Sequence, residues 1–140
     1  MKKIIRTLLL IQFIFLSLSS FSQNPTTPPK GSKDRKEILD IFREDFGEEK
    51  SKTLFKVEHF LIQNGWACAN VTPLQNNVEI ADSRWDLFQL QNGKWVQIKW
   101  YIGVELNDDF ELIDLPSQYS RVSKIIVKKY PSCPMAIFPK

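Results

Sequence analysis

The chain has 140 residues, with 19 Lys and Arg against 16 Asp and Glu, and 12% of its side chains are aromatic. That length supports one domain around one core and is too short for two. Three of the positive charges, Lys2, Lys3 and Arg6, open the chain, and the remainder carries 16 basic and 16 acidic groups, which excludes a general electrostatic attraction to nucleic acid or to an anionic membrane.

Residues 1–22 read as an export signal. After the positive start comes an apolar run over 8–18, interrupted only by Gln12 and Ser17, and then the small-x-small site Ser20-Phe21-Ser22. The run is short for a membrane span, the other reading being an uncleaved N-terminal anchor, and no Cys follows the site to take a lipid. The expected mature chain begins at Gln23 and is exported to the periplasm or beyond, with no stable membrane insertion once the signal is cut. Residues 23–33, with Pro25, Pro28, Pro29 and Gly31, predict an extended, solvated tether. A single α+β domain is expected over 34–140.

A first helix is predicted over 34–46. Asp34 and Glu37 stand in a D-x-x-E capping arrangement. Ile38, Phe42 and Phe46, with Leu39 and Ile41 beside them, form a stripe at helical spacing, and Gly47 supplies the stop. Residues 54–62 and 66–73 predict a hairpin about Asn64-Gly65, since a two-residue turn of this kind needs positive φ at both positions. Its register sets Ile62 against Ala67, Leu61 against Cys68, Phe60 against Ala69, His59 against Asn70 and Val57 against Thr72. Neither face is cleanly polar, so either or both can be covered. Pro73 marks the expected strand end, and 74–84 the expected crossing loop.

A second hairpin is predicted over 85–102 about Asn92-Gly93, with Gln91 opposite Lys94, Leu87 opposite Ile98 and Trp85 opposite Trp100. Trp85, Leu87, Val96, Ile98, Trp100 and Ile102 then share a core face. The other face, with Asp86 opposite Lys99, Phe88 opposite Gln97 and Leu90 opposite Trp95, is expected to be half solvated, with a cross-strand ion pair. An acidic segment follows (Glu105, Asp108, Asp109, Glu111 and Asp114). A second helix over 117–129 carries Tyr119, Val122 and Ile126 at helical spacing, and a proline-rich tail brings residues 135–138 back against the sheet. A helix, two antiparallel hairpins of at least four strands in all, and a helix near the C-terminus make the fold class α+β.

Chemistry-bearing residues are few. His59 is the one histidine, expected mid-strand opposite Asn70, without the turn that presents a nucleophile. The ordinary reading is a strand histidine bonded to its neighbours; the functional one makes it an acid or base, with Asp86 as the carboxylate candidate. The pairs Asp82/Asp86 and Asp108/Asp109 carry the same two readings, general acid and base or solvated charge. No C-x-x-C or H-x-x-x-H spacing indicates a metal, and no cofactor is assigned. Cys68 and Cys133 form a disulfide or stay as a buried hydrophobe and a tail thiol. Trp66, Trp95 and Tyr101 are candidates to line a binding surface, against the alternative of packing. Asn70-Val71-Thr72 fits a glycosylation sequon in an unsuitable mid-strand position.

Residues 35–42 (RKEILDIF), 55–75 (FKVEHFLIQNGWACANVTPLQ), 92–103 (NGKWVQIKWYIG) and 129–139 (KYPSCPMAIFP) resemble a group of small exported bacterial proteins of uncharacterised function. Their pattern is a helix, a V-x-x-L-x-V-x-x-x-W-A strand pair ending in Pro, and a D/N-G-x-W-x-V hairpin. The chain departs from it at Cys68, where a large apolar residue is usual, and in a longer, more basic segment before KYPSCP. The resemblance implies an α+β domain similar to the cystatin-like or NTF2-like class, and its motifs are those of turns and packing. The function these residues favour is a non-enzymatic binding or interaction module for a protein or small apolar ligand. The alternative is a small NTF2-like pocket enzyme, a hydrolase or isomerase using an isolated Asp or His. The two differ in whether the first helix fills the sheet face or leaves a pocket holding His59 or Asp86.

Overall fold

Ser32 starts the first helix: its backbone is extended and its hydroxyl accepts from the Arg35 amide at 3.4 Å. The cap is therefore two residues ahead of the expected one, and Asp34 is released for another task. Helix α1 spans Lys33–Arg43 and buries Ile38 and Phe42. A 3-10 stretch, Glu44–Lys52, follows and is broken at Gly47, whose φ of 52° suits a residue without Cβ. The computed structural model describes residues 24–99 and 115–140, with side chains from 120 onward in the second stretch. The expected signal, the acidic segment, Trp100, Tyr101 and Ile102 lie outside the described residues.

Strands β1 (Leu54–Gln63), β2 (Trp66–Gln75), β3 (Val78–Glu79), β4 (Arg84–Gln91) and β5 (Lys94–Ile98) form one antiparallel sheet. Its order is β1-β2-β4-β5, with β3 also paired to β2. Helix α2 (Leu115–Lys129) and a proline-rich tail complete the α+β fold. Both Asn-Gly turns take the expected positive φ, 51° and 74° at Asn64 and Gly65 and 51° and 76° at Asn92 and Gly93. The β4–β5 register matches expectation from Gln91↔Lys94 to Leu87↔Ile98. β5 ends there, and Asp86 is ion-paired with Arg84 (2.8 Å) in place of the expected Lys99.

The first hairpin keeps its expected register only from Ile62↔Ala67 to His59↔Asn70; a bulge between Val57 and His59 then sets Val57 opposite Val71. One extra residue flips every later side chain to the other face. Phe55 and Val57 thus join Phe60 and Ile62 against α1. Nor does β2 stop at Pro73. It continues to Gln75, turns at Asn76-Asn77 (φ 50° and 62°) and returns as β3, so the expected crossing loop contains a third hairpin. Pro73 is tolerated because its carbonyl accepts from Ile80, and a strand residue's N–H and C=O point the same way. Its missing donor therefore faces the gap between the β4 pairing, which ends at Val71, and the β3 pairing, which begins at Leu74.

Both faces of the sheet are covered. On one, Ile38 and Phe42 of α1 pack with Phe60, Ala67, Ala69, Val71, Phe88 and Trp95. On the other, Val122 and Ile126 of α2 and Cys133, Ile137 and Phe138 of the tail pack with Trp66, Cys68 and Leu87. This corrects the half-solvated face expected of the second hairpin, for Phe88 and Trp95 are buried under α1. Val96, placed in the core by alternation, is 41% exposed. The segment read as a solvated tether also makes fixed contacts. Thr26 exchanges two backbone hydrogen bonds with Ile62 (2.9 and 2.8 Å), and buried Pro28 accepts from the Arg35 guanidinium, which lies over the Phe60 ring.

Phe42 touches the rings of Phe88 (5.3 Å between centroids) and Phe55 (5.8 Å) at the centre of the α1 face. Phe42→Ala should lower unfolding free energy in urea by about 3–5 kcal/mol, and Phe46→Ala, at a half-buried site, by less than half of that. Equal losses would mean that Phe46 shares the anchoring of α1.

Candidate functional site

His59 and Asp86 point to opposite faces of the sheet. His59 alternates with Phe60 on β1 and so faces α2 and the tail, where its Nε2 lies 2.7 Å from the Ile137 carbonyl oxygen. A carbonyl only accepts, so Nε2 carries the hydrogen and donates. His59 fastens the tail to β1. Asp86 alternates with Leu87 on β4 and so faces the α1 side, beneath the 3-10 stretch.

There Asp86 belongs to a charge cluster. Arg84 donates to Asp45 through Nη1 and pairs with Asp86 through Nε, while its guanidinium lies 5.0 Å from the Phe42 ring centroid. Burial raises the Asp86 carboxyl above its ordinary value; Arg84 and a hydrogen bond from Gln97 oppose that, and Asp45 adds to it. Burial outweighs the cation here. Of the aromatic candidates, Trp66 and Trp95 are buried, and Tyr101 lies outside the described residues. Trp66 lies against Tyr130 (5.6 Å) in the α2 core. Trp95 is 6% exposed, and its indole N–H donates to Asp34 at 2.8 Å, which ties the start of α1 to β5.

The Cys68 and Cys133 thiols are free and buried, so the disulfide reading is not met. They sit in one cluster. Burial pushes Cys133 up to about 12 and Cys68 further, with Cys133 as a lesser cause for the latter. Neither is a thiolate at neutral pH, which removes both as nucleophiles in the folded state. The sequon lies within β2, with Thr72 buried and Asn70 half-buried.

Two concavities mark the surface. A groove of about 340 Å³ runs between α1 and β5, lined by Glu37, Asp40, Ile41, Glu44, Lys94 and Trp95. Lys36, with Arg43, holds the Asp40 carboxyl below its usual range. A smaller cavity of about 90 Å³ opens where β1, β2 and the start of β4 meet the 3-10 stretch. Phe42, Phe46, Phe55, Val71 and Pro73 form its walls, and Ala81, Asp82 and Arg84 stand at its rim. Sequence reasoning missed both, because each is made by the covering of a face that had been read as open or undecided. No group of three or more potential metal-ligating side chains occurs among the described residues. No helix among them is long and apolar enough to cross a membrane.

No family model, no curated protein and no solved structure matches this chain.

Two measurements check these assignments. A carboxyl with a raised folded-state pKa binds its proton more readily folded than unfolded, so its contribution to stability is lost as pH rises from the unfolded value of 3.8 through the folded one. Asp86→Asn abolishes that loss: urea unfolding across pH 3–7 should show the variant gaining stability relative to wild type as pH rises. A relative loss would mean that Arg84 outweighs burial. For the cysteines, a thiol reagent should react slowly with the native chain and find two thiols in denaturant without reductant; finding none would establish the bridge.

Proposed function

We propose that this chain is an exported, non-enzymatic binding module for a protein partner or a small apolar ligand, recognised on its outer surface. The observation that carries this reading is the filling of the sheet. Ile38 and Phe42 occupy one face and α2 with the tail the other, so among the described residues each face of the sheet is packed against a covering element. His59 is spent on the Ile137 carbonyl and Asp86 on Arg84, on opposite sides of the sheet. Neither lines the groove or the cavity. An NTF2-like pocket enzyme needs the reverse, an enclosed cavity with one of these groups aimed into it. Export is supported by the charged start, apolar run and cleavage site over 1–22.

The groove between α1 and β5 is the larger surface for a partner. Its floor is apolar at Ile41 and Trp95, and its walls carry charges of both signs. The mature chain, immobilised and exposed to its native envelope fraction, should retain a defined species that the double variant Glu44→Lys, Lys94→Glu loses. Both residues are exposed, so the exchange leaves the core intact. Equal retention by the two, or hydrolysis by the wild type that His59→Ala abolishes, would overturn the reading.

A further inference from the structure

The cavity beside the β2–β3 hairpin has three features that together specify a ligand. First, its walls are apolar and aromatic, built from Phe42, Phe46 and Phe55 with Val71 and Pro73. The bulge in β1 is what turns Phe55 into this face. Second, it is narrow. At about 90 Å³ it admits about three groups of water size (~30 Å³ each) and is smaller than a cavity of about 150 Å³ that takes benzene. That volume suits a short alkyl chain better than an aromatic ring.

Third, the charge at its mouth is unbalanced. Arg84 is held between Asp45 and Asp86, so one cation already serves two carboxylates. Asp82, on the same rim, has no ion-pair partner among the described residues. Of the ring faces, Phe42 is covered by Arg84 and Phe55 by Arg43, which shows that this aromatic wall already receives cations. An anion entering here would meet Asp82 and a guanidinium already committed to Asp45 and Asp86. A cation would meet a free carboxylate beside an aromatic surface.

We propose that this cavity is a binding site for a short primary alkylammonium group, its methylenes between Phe46, Phe55 and Pro73 and its ammonium at Asp82. The inference deepens the binding-module reading and rests on it only in requiring no catalysis; it concerns a different surface from the α1–β5 groove. Either a free amine or the lysine side chain of a partner presents this chemistry.

The test is an NMR titration of the full mature chain at pH 7 and low salt with n-butylammonium, n-butyrate, n-butanol and Nα-acetyl-lysine methylamide. n-Butylammonium should shift the amides of Phe55, Ala81, Asp82 and Arg84 saturably, and more tightly than butanol, with butyrate inert. The lysine derivative binding as well as butylammonium assigns the site to a protein side chain, and its exclusion assigns it to a free amine. Asp82→Asn should weaken butylammonium about threefold to fivefold, the range of a partly exposed ion pair. It should leave butanol unchanged. Ala81→Leu, at an exposed rim position, should block all binding without altering the fold, as the unchanged spectrum elsewhere will show. Butyrate binding as well as the amine, or saturable shifts absent for every probe, overturns the proposal. Loss of partner retention at the α1–β5 groove would leave it standing, and the converse holds.

Discussion

The fold depends on β2 being buried on both sides at once. Its alternate residues differ in size by face: Ala67 and Ala69 lie under α1, and Trp66 and Cys68 under α2 and the tail. Two alanines on the central strand leave room for Ile38 and Phe42 to descend between Phe60 on β1 and Phe88 on β4, so the large side chains interdigitate with the small. On the other face Trp66 fills what α2 and the tail enclose. A larger residue at Ala67 or Ala69 would push α1 off the sheet, and the overpacking would be felt at Phe42 first.

The bulge next to Glu58 follows from the same demand. Without it the end of β1 would turn Leu54 and Lys56 toward α1 and withdraw Phe55 and Val57 from it. The slip places the two apolar residues inside and the lysine outside, where Lys56 meets Glu58 and Glu79 at 3.3 Å. The wall of the small cavity, the floor under Phe46 and the ion pairs across the hairpin end all rest on that single extra residue.

Much of this was legible in the sequence and some was not, for physical reasons. Asn-Gly turns demand positive φ and so dictate register near themselves; Ile62 to His59 and the whole of the β4–β5 pairing follow from them. A bulge leaves alternation intact on both sides of itself, so the change of face at Val57 shows in the sequence only as a slip of phase between Phe55 and Val57 and the later pair Phe60 and Ile62. Asn76-Asn77 carries the same turn chemistry as Asn-Gly in a less familiar form, flanked by strand pairings too short to show alternation. Alternation along β4 and β5 showed two sets of apolar residues. Phe88 and Trp95 share a face with Asp86, Gln97 and Lys99, a polar set that by itself reads as solvated, and it is α1 that buries them. The proline-rich segment reads as extended, and extended it is, but Pro28 and Thr26 show that an extended chain can dock along an edge strand as readily as leave it. Of the candidate site, the residue types were visible and their juxtaposition was not, because which side of a sheet a residue faces is a property of the covering elements as well as of the strand.

His59, Asp86 and the two cysteines, which look chemical in the sequence, are engaged in holding the fold together. The second core has no wall without the tail, since Ile137 and Phe138 close what α2 alone leaves open around Trp66 and Cys68. A tail with three prolines makes few hydrogen bonds of its own, and beyond the 3-10 turn it needs an external partner for its carbonyls. His59 supplies one, reaching from β1 to Ile137. The mid-strand histidine, the two cysteines and the buried tryptophan thus share one task, which is to hold the end of the chain on the sheet. The two concavities lie elsewhere, between α1 and β5 and beside the β2–β3 hairpin, on residues that the docking of the tail does not use.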